Sequence, residues 1–171
     1  MKIPIRPLSF KKLKSPFKYI IIHDITCRFK DFHDLRIDTA KCETSVLRSY
    51  EYMYNDNSDI NYHYSFEKLK DDYEAIVGRP LNSLCNFPSL QDQYSRSINI
   101  IVISDFNLQI PEKRLYDSLS YKLLNPLMFM FKIPRPNILL HREIESGIHC
   151  PGNYFNKESL DNSTLKMKVQ S

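Results

Sequence analysis

The segment LLHREIESGIHCPG, residues 139–152, is the most informative stretch of the chain. An imidazole, that of His141, and a thiol, that of Cys150, lie nine positions apart with a short polar loop between them. The Pro151-Gly152 pair that follows the thiol predicts a sharp turn of the chain. The segment therefore brings two side chains of the kind that bind metal ions close together along the sequence.

A second apolar run, Tyr19-Ile20-Ile21-Ile22, also ends in a histidine, His23. Two strands that end in imidazoles, with one thiol on a loop, supply three zinc ligands and leave a fourth position open. That is the coordination of a catalytic zinc, whereas structural sites are closed by four protein ligands. The predicted metal ligands are His23, His141 and Cys150, and the predicted cofactor is Zn²⁺. Taken singly, a histidine after a strand is more often an ordinary core residue.

Composition and charge limit the classes of protein that the chain can represent. It has 171 residues, of which 42% are hydrophobic, and a net charge of +4. This length predicts one domain. No nucleic-acid-binding signature accompanies the charge, so we expect no nucleic acid partner. The apolar run before His23 is too short for a signal peptide or a membrane span, which predicts a soluble protein without membrane insertion.

Strand and helix patterns alternate along the chain, which predicts an α/β fold, a single domain with a mixed central sheet flanked by helices. We expect an extended basic arm over residues 1–17, the domain over residues 18–165 and a loose tail over residues 166–171. The predicted strands are residues 18–23, 60–66, 73–77, 98–103 and 138–140. The predicted helices are residues 44–54, a leucine stripe from Leu115 to Phe131, and residues 155–165. Pro126 interrupts the stripe, which predicts either a kink or a restart of the helix capped by Asn125.

Two smaller groups of residues leave alternatives open. A Cys27–Cys42 disulfide is conceivable, although buried thiols fit four cysteines in a chain of this length better. In the predicted strand that contains Asn61-Tyr62-His63-Tyr64, Tyr62 and Tyr64 should face one way and His63 the other. A tyrosine hydroxyl near the metal could stabilise an oxyanion, whereas the alternative is an aromatic core strand.

Four blocks of sequence carry a family resemblance. They are YIIIH at 19–23, NYHY at 61–64 with GRP at 78–80, SINI at 97–100 with DFN at 105–107, and HRE at 141–143 with CPG at 150–152. In order and spacing they resemble the zinc-dependent N-acetylmuramoyl-L-alanine amidases of the phage-lysozyme and peptidoglycan-recognition-protein type, the type 2 amidases. The resemblance covers roughly residues 18–155.

The resemblance implies a mixed sheet with a zinc site in a surface groove. It implies hydrolysis of the amide between N-acetylmuramic acid and L-alanine by zinc-activated water, with peptidoglycan or muropeptides as the partner. Carried over to this sequence, His23, His141 and Cys150 bind zinc, Tyr62 is the catalytic tyrosine and His63 is structural. The implied protein is a monomer. Without a signal peptide it is cytoplasmic in the producing cell, either a phage endolysin that acts on the wall once released or a wall-recycling enzyme.

The sequence departs from the family pattern near the third ligand. The family often has lysine or threonine two residues before that ligand, where this chain has Ile148. Isoleucine cannot donate a hydrogen bond to an oxyanion. His149, one residue later, is the candidate to take over that catalytic role, and the alternative is that it faces solvent. Asn99 and Ser104 stand where the family commonly has glycine, which could narrow the floor of the groove.

These departures keep two other functions open beside the bacteriolytic amidase. One alternative is a peptidoglycan-binding module without catalysis, which Ile148 favours. The other is a structural or virion protein that retains the amidase fold, in which zinc only stiffens a loop. In that protein four side chains would close the site, with His149 as the predicted fourth ligand.

Overall fold

The computed structural model describes residues 17–27, 44–45, 47–49, 60–83, 85 and 95–164. The α/β class is confirmed, because a mixed five-stranded sheet in the order β3-β2-β4-β1-β5 packs against helices. The strands are β1 (Tyr19–Asp24), β2 (Tyr64–Leu69), β3 (Asp72–Val77), β4 (Ser97–Val102) and β5 (Ile138–Leu140). The helices are α1 (Lys113–Leu119), α2 (Asn125–Phe131), α3 (His141–Ile144) and α4 (Lys157–Thr164).

The two central strands, β4 and β1, are the predicted apolar runs, shifted by one residue. All six residues of β4 are buried, as are five of the six in β1. Continuous β-branched runs of this kind are typical of strands that are covered on both faces. β1 pairs in parallel with both β4 and β5, and β2 pairs in parallel with β4. The ends of the parallel strands therefore meet at one edge of the sheet.

The predicted hairpin is confirmed, but its first strand begins later than predicted. β2 and β3 pair antiparallel from Tyr64 opposite Val77 to Leu69 opposite Asp72. The turn is shorter than the charged segment suggested, and Lys70 within it has a φ of 56°. Residues 61–63 bend instead of continuing β2. This bend alters the direction of the side chains that the sequence assigned to alternating faces.

The leucine stripe is buried as predicted, but the chain stays helical up to Asn125 instead of breaking off before it. A π-helical turn, Ser120–Leu124, joins α1 to α2. Asn125 has helical dihedral angles and donates its N–H to the Ser120 carbonyl, so the predicted cap is wrong. Pro126 has no N–H, and a wider turn before it lets the chain remain helical where an α-helix would break.

Several predicted segments fall on residues that the structure does not describe. They are residues 1–16 of the arm, the tail from residue 165 and Cys42, with most of the predicted helix at 44–54 and of the loop at 82–96. Thr44, Ser45 and residues 47–49 are helical. Phe17, predicted as the end of the arm, is buried and packs edge-on against Phe131 at 5.2 Å between ring centroids. No helix in the described part of the chain is both long and apolar enough to cross a membrane.

His63 fastens the hairpin to the central strand. Its Nδ1 accepts the N–H of Asn99 at 2.9 Å, and its Nε2 donates to the carbonyl of Ser83 at 3.2 Å. The side chain is 2% exposed, and burial lowers the pKa of His63 to about 4. The imidazole is therefore neutral in the folded protein at neutral pH.

We expect His63 to make the protein less stable in mild acid. Its pKa is lower in the folded than in the unfolded chain, so below about pH 6.5 the unfolded chain binds a proton that the folded chain excludes. Stability contributed by the neutral ring is complete above that pH and is lost as the pH falls toward 4. Between pH 7 and pH 5 the loss should be about 2 kcal/mol.

Urea denaturation of wild type and His63→Asn measures this loss, because asparagine keeps an acceptor for the Asn99 N–H but does not titrate. The pH dependence contributed by titratable groups common to both proteins, including the predicted metal ligands, cancels in the difference in stability. We expect the stability gap between the two proteins to narrow as the pH falls. Parallel curves for the two proteins between pH 7 and pH 5 would show that His63 does not carry the effect.

Candidate metal centre

Four side chains converge beyond the edge of the sheet where β1 and β5 end. They are His23, Cys27, His141 and Cys150, and their potential ligand atoms all lie within 4.8 Å of one another. The cluster contains all three sequence-predicted ligands. It also contains Cys27, which the sequence suggested only as a possible disulfide partner. Within the described residues this is the one such group of histidine, cysteine and acidic side chains.

The pairing of β1 with β5 brings the two histidines together. Ile22 lies opposite Leu140 in the parallel register, and the next residue along each strand is a histidine. His23 belongs to β1, and His141 begins α3 directly after β5. Their ring centroids are 4.5 Å apart. Two sequence-distant imidazoles thus become neighbours because the strands that carry them are hydrogen-bonded.

Hydrogen bonds at the Nε2 atoms orient the imidazole rings of His23 and His141. Nε2 of His23 lies 3.0 Å from Oδ1 of Asn99, and Nε2 of His141 lies 3.2 Å from Oε2 of Glu145. Both oxygens accept, so each Nε2 carries the proton and each Nδ1 presents its lone pair to the sulfurs. Burial also lowers the pKa of His23, which favours the neutral ring. Imidazoles held in this way are typical of metal ligands.

Asp24 fixes the position of Cys150. Its backbone N–H donates to Sγ of Cys150 at 3.3 Å, and its carboxylate accepts the N–H of Gly152 at 2.8 Å and the hydroxyl of Thr26 at 2.8 Å. The carboxylate is buried, and this burial raises the pKa of Asp24. The residue after His23 therefore positions the loop that carries Cys150.

Arg142 holds the same loop from the other side. Its guanidinium donates to the carbonyls of Gly152 at 2.8 Å and Phe155 at 2.6 Å, and also to that of Pro151. The chain passes so close to Asn107 that a Cβ on Gly152 would lie 2.4 Å from its backbone nitrogen. Only glycine fits at this contact, which explains the glycine of the Cys-Pro-Gly motif.

The two thiols face the imidazole nitrogens. Sγ of Cys27 lies 3.0 Å from Nδ1 of His141 and 3.9 Å from Nδ1 of His23, and Sγ of Cys150 lies 3.9 Å from Nδ1 of His23. Both are free thiols. A hydrogen bond with Cys150 lowers the pKa of Cys27, whereas burial raises the pKa of Cys150.

These distances fit a tetrahedral zinc ion. Zinc binds sulfur at about 2.3 Å and nitrogen at about 2.0–2.1 Å, so tetrahedral geometry places a sulfur and a nitrogen ligand about 3.6 Å apart. The sulfur–nitrogen separations of 3.0 and 3.9 Å in the structure lie on either side of that value. The residues therefore could hold zinc with small side-chain adjustments, and the donor types are those that zinc prefers.

The two residues predicted to be catalytic lie in different surroundings. Tyr62 is fully buried, with its ring centroid 5.1 Å from that of His23. It packs in a small apolar cluster with Ile101, whereas Tyr64 packs on the main core. The prediction that the two tyrosines face one way is therefore wrong, because residues 61–63 bend.

His149 is exposed and lies outside the four-residue cluster, although it is adjacent to Cys150. The prediction of His149 as the fourth ligand is not met, since Cys27 takes that place in the cluster. Its part as a hydrogen-bond donor to substrate stays a prediction. Ile148, next to it, is half-buried.

The sequence contained signals for three members of the site that it did not assign. Cys27 follows His23 by four residues, which is one helical turn. Glu145 follows His141 by four residues, a spacing at which helical side chains meet. Asn99 was noted as a departure from glycine, but it is the partner of His23 Nε2.

The sequence matches no protein-family model and no curated protein. The structure is similar to that of the N-acetylmuramoyl-L-alanine amidase LysC from Clostridium intestinale, with a TM-score of 0.62 and 20% identity over 86% of this chain and 85% of that one. The Ph2119 endolysin from a Thermus scotoductus bacteriophage gives a TM-score of 0.62 and 18% identity over 88% and 86% of the two chains.

A third similar structure contains peptidoglycan recognition proteins LCa and LCx, whose ectodomain complex binds tracheal cytotoxin. Its TM-score is 0.60, with 17% identity over 85% of this chain and 81% of that one. Together these likenesses show that the chain has the fold shared by type 2 amidases and peptidoglycan recognition proteins. The resemblance noted in the sequence is confirmed at the level of the fold.

We expect Glu145 to strengthen metal binding by orienting His141. Glu145→Ala should weaken zinc affinity about 10- to 100-fold, as is usual for partners of metal-bound histidines. Glu145→Gln keeps an acceptor oxygen and should retain most of the affinity. Competition with a chromophoric chelator measures the zinc dissociation constants of the wild type and of each variant. Glu158→Ala, at an exposed carboxylate in α4, is the matched control, and equal affinities for it and Glu145→Ala would contradict the assignment.

Proposed function

We propose that this protein is a zinc-dependent N-acetylmuramoyl-L-alanine amidase that hydrolyses peptidoglycan. The observation that supports this function is the convergence of His23, His141 and Cys150 at the end of two parallel strands. The convergence occurs in a fold that the chain shares with amidase endolysins. The proposed substrate is the amide between the lactyl group of N-acetylmuramic acid and L-alanine.

In this proposal His23, His141 and Cys150 hold the metal. Bound zinc would polarise the amide carbonyl and lower the pKa of a water molecule to about 7. Asn99 and Glu145 accept hydrogen bonds from Nε2 of His23 and His141, so that each Nδ1 faces the cluster. The two histidines follow hydrogen-bonded strands, and Asp24 and Arg142 hold the loop of Cys150. These contacts fix the positions of the three side chains relative to one another.

Tyr62 would act through His23 in the conformation described. A side chain without exposed surface does not touch a substrate, and its ring lies edge-on to the imidazole. Tyr62 thus supports the orientation of the first ligand, and a direct catalytic contact requires movement of the chain near it. His149, being exposed, is the proposed donor to the oxyanion in place of the lysine or threonine that Ile148 replaces.

Peptidoglycan is the proposed partner, with the protein acting as a monomer. Two of the similar structures are amidases or endolysins, and a third binds a peptidoglycan fragment, tracheal cytotoxin. An endolysin that reaches the wall after release is the setting that these likenesses favour, and a wall-recycling amidase is the second setting.

A peptidoglycan-binding module without hydrolysis is the second candidate function. It is favoured by the apolar Ile148, which cannot donate a hydrogen bond to an oxyanion. Binding of muropeptides without release of peptides that begin with L-alanine would identify this function.

The amidase proposal is tested with purified peptidoglycan and mass spectrometry of the products. We expect the zinc-loaded wild type to release peptides with a free L-alanine amino terminus, and Cys150→Ser to lose this cleavage and bind zinc more weakly. Cys85→Ser, at a buried thiol outside the cluster, is the matched control and should cleave. Cleavage that persists after the metal has been removed by a chelator would refute the proposal.

A further inference from the structure

Cys27 lies where a fourth ligand to the metal would lie. It ends a short 3-10 turn, Ile25–Cys27, that follows β1. This turn carries the chain back toward His23, so that the Cys27 sulfur lies 3.0 and 3.9 Å from the inward-facing nitrogens of His141 and His23. A cysteine that serves only in packing would instead lie among apolar side chains.

We propose that Cys27 is a fourth ligand of the bound metal, so that the resting site is closed by two cysteines and two histidines. Such a donor set satisfies tetrahedral zinc completely and is typical of sites without an open position. The inference deepens the proposed amidase function. The part that concerns the release of Cys27 rests on that function. For hydrolysis to occur, the Cys27 sulfur must first leave the metal.

Cys27 is also the ligand best placed to leave. His23 is fully buried, and His141 and Cys150 are 4% and 3% exposed, whereas Cys27 is partly exposed. The other three side chains are each held by a second hydrogen bond, from Asn99, Glu145 and the Asp24 N–H respectively. Release of Cys27 would leave in place the three ligands that the proposed amidase uses.

The proposal is tested by counting sulfur ligands in the cobalt(II)- and zinc-loaded proteins. Thiolate-to-cobalt charge-transfer absorption scales with the number of bound thiolates, and zinc X-ray absorption separates sulfur from nitrogen or oxygen neighbours. We expect two sulfurs in the wild type, and a loss of about half the charge-transfer intensity in Cys27→Ala. Cys85→Ser, which removes a thiol outside the cluster, should keep the wild-type spectrum. One sulfur in the wild type would overturn the proposal.

Cleavage of muropeptides separates this inference from the proposed function. If Cys27 closes the site, Cys27→Ala should release L-alanine-terminated peptides faster than the wild type at equal zinc occupancy. Equal or lower rates would overturn the requirement that Cys27 leave, even with two sulfurs bound. Two sulfurs in the wild type with no cleavage by either protein would uphold the closed site and refute the amidase. One bound sulfur in the wild type, together with cleavage by the wild type, would refute the closed site and uphold the amidase.

Discussion

The parallel pairing of β1 with β5 is the constraint on which the cluster of His23, Cys27, His141 and Cys150 depends. Ile22 opposite Leu140 is the last pair of the ladder, and the histidine that follows each residue is thereby brought to within 4.5 Å of the other, centroid to centroid. Backbone hydrogen bonds in a buried sheet resist sliding, because a shift by one residue would turn the apolar side chains out of the core. The spacing of the two imidazoles is therefore as rigid as the core itself.

Around this pair, polar side chains orient the members of the cluster. Asn99 and Glu145 fix the imidazoles, while Asp24 and Arg142 fix the loop of Cys150. Each polar contact is satisfied inside a largely buried environment, where an unpaired group would be costly. Oxygen atoms that accept the far N–H of an imidazole are the usual partners of metal-bound histidines, which supports a metal as the occupant of the cluster.

A second sulfur, that of Cys27, gives the cluster a fourth potential ligand and distinguishes it from the three-ligand arrangement that the sequence suggested. Three donors and a free position serve hydrolysis, whereas four donors serve stability. The fold does not decide between them, since a fold accommodates many functions. Cys27, a partly exposed side chain at the end of a short turn, decides between the open and the closed site. The site is closed if the Cys27 sulfur stays on the metal and open if it leaves.

The sequence by itself determined the strands and three members of the cluster. Runs such as YIIIH and SINIIV are dominated by β-branched apolar residues, which favour a buried strand. His141 and Cys150 followed from their position after a strand and before a Pro-Gly turn. Only the tertiary structure decided that Cys27 points inward while His149 points outward, and that Tyr62 and Tyr64 lie in different clusters. These directions depend on bends and short turns whose geometry is set by distant contacts, which leave no periodic pattern in the sequence.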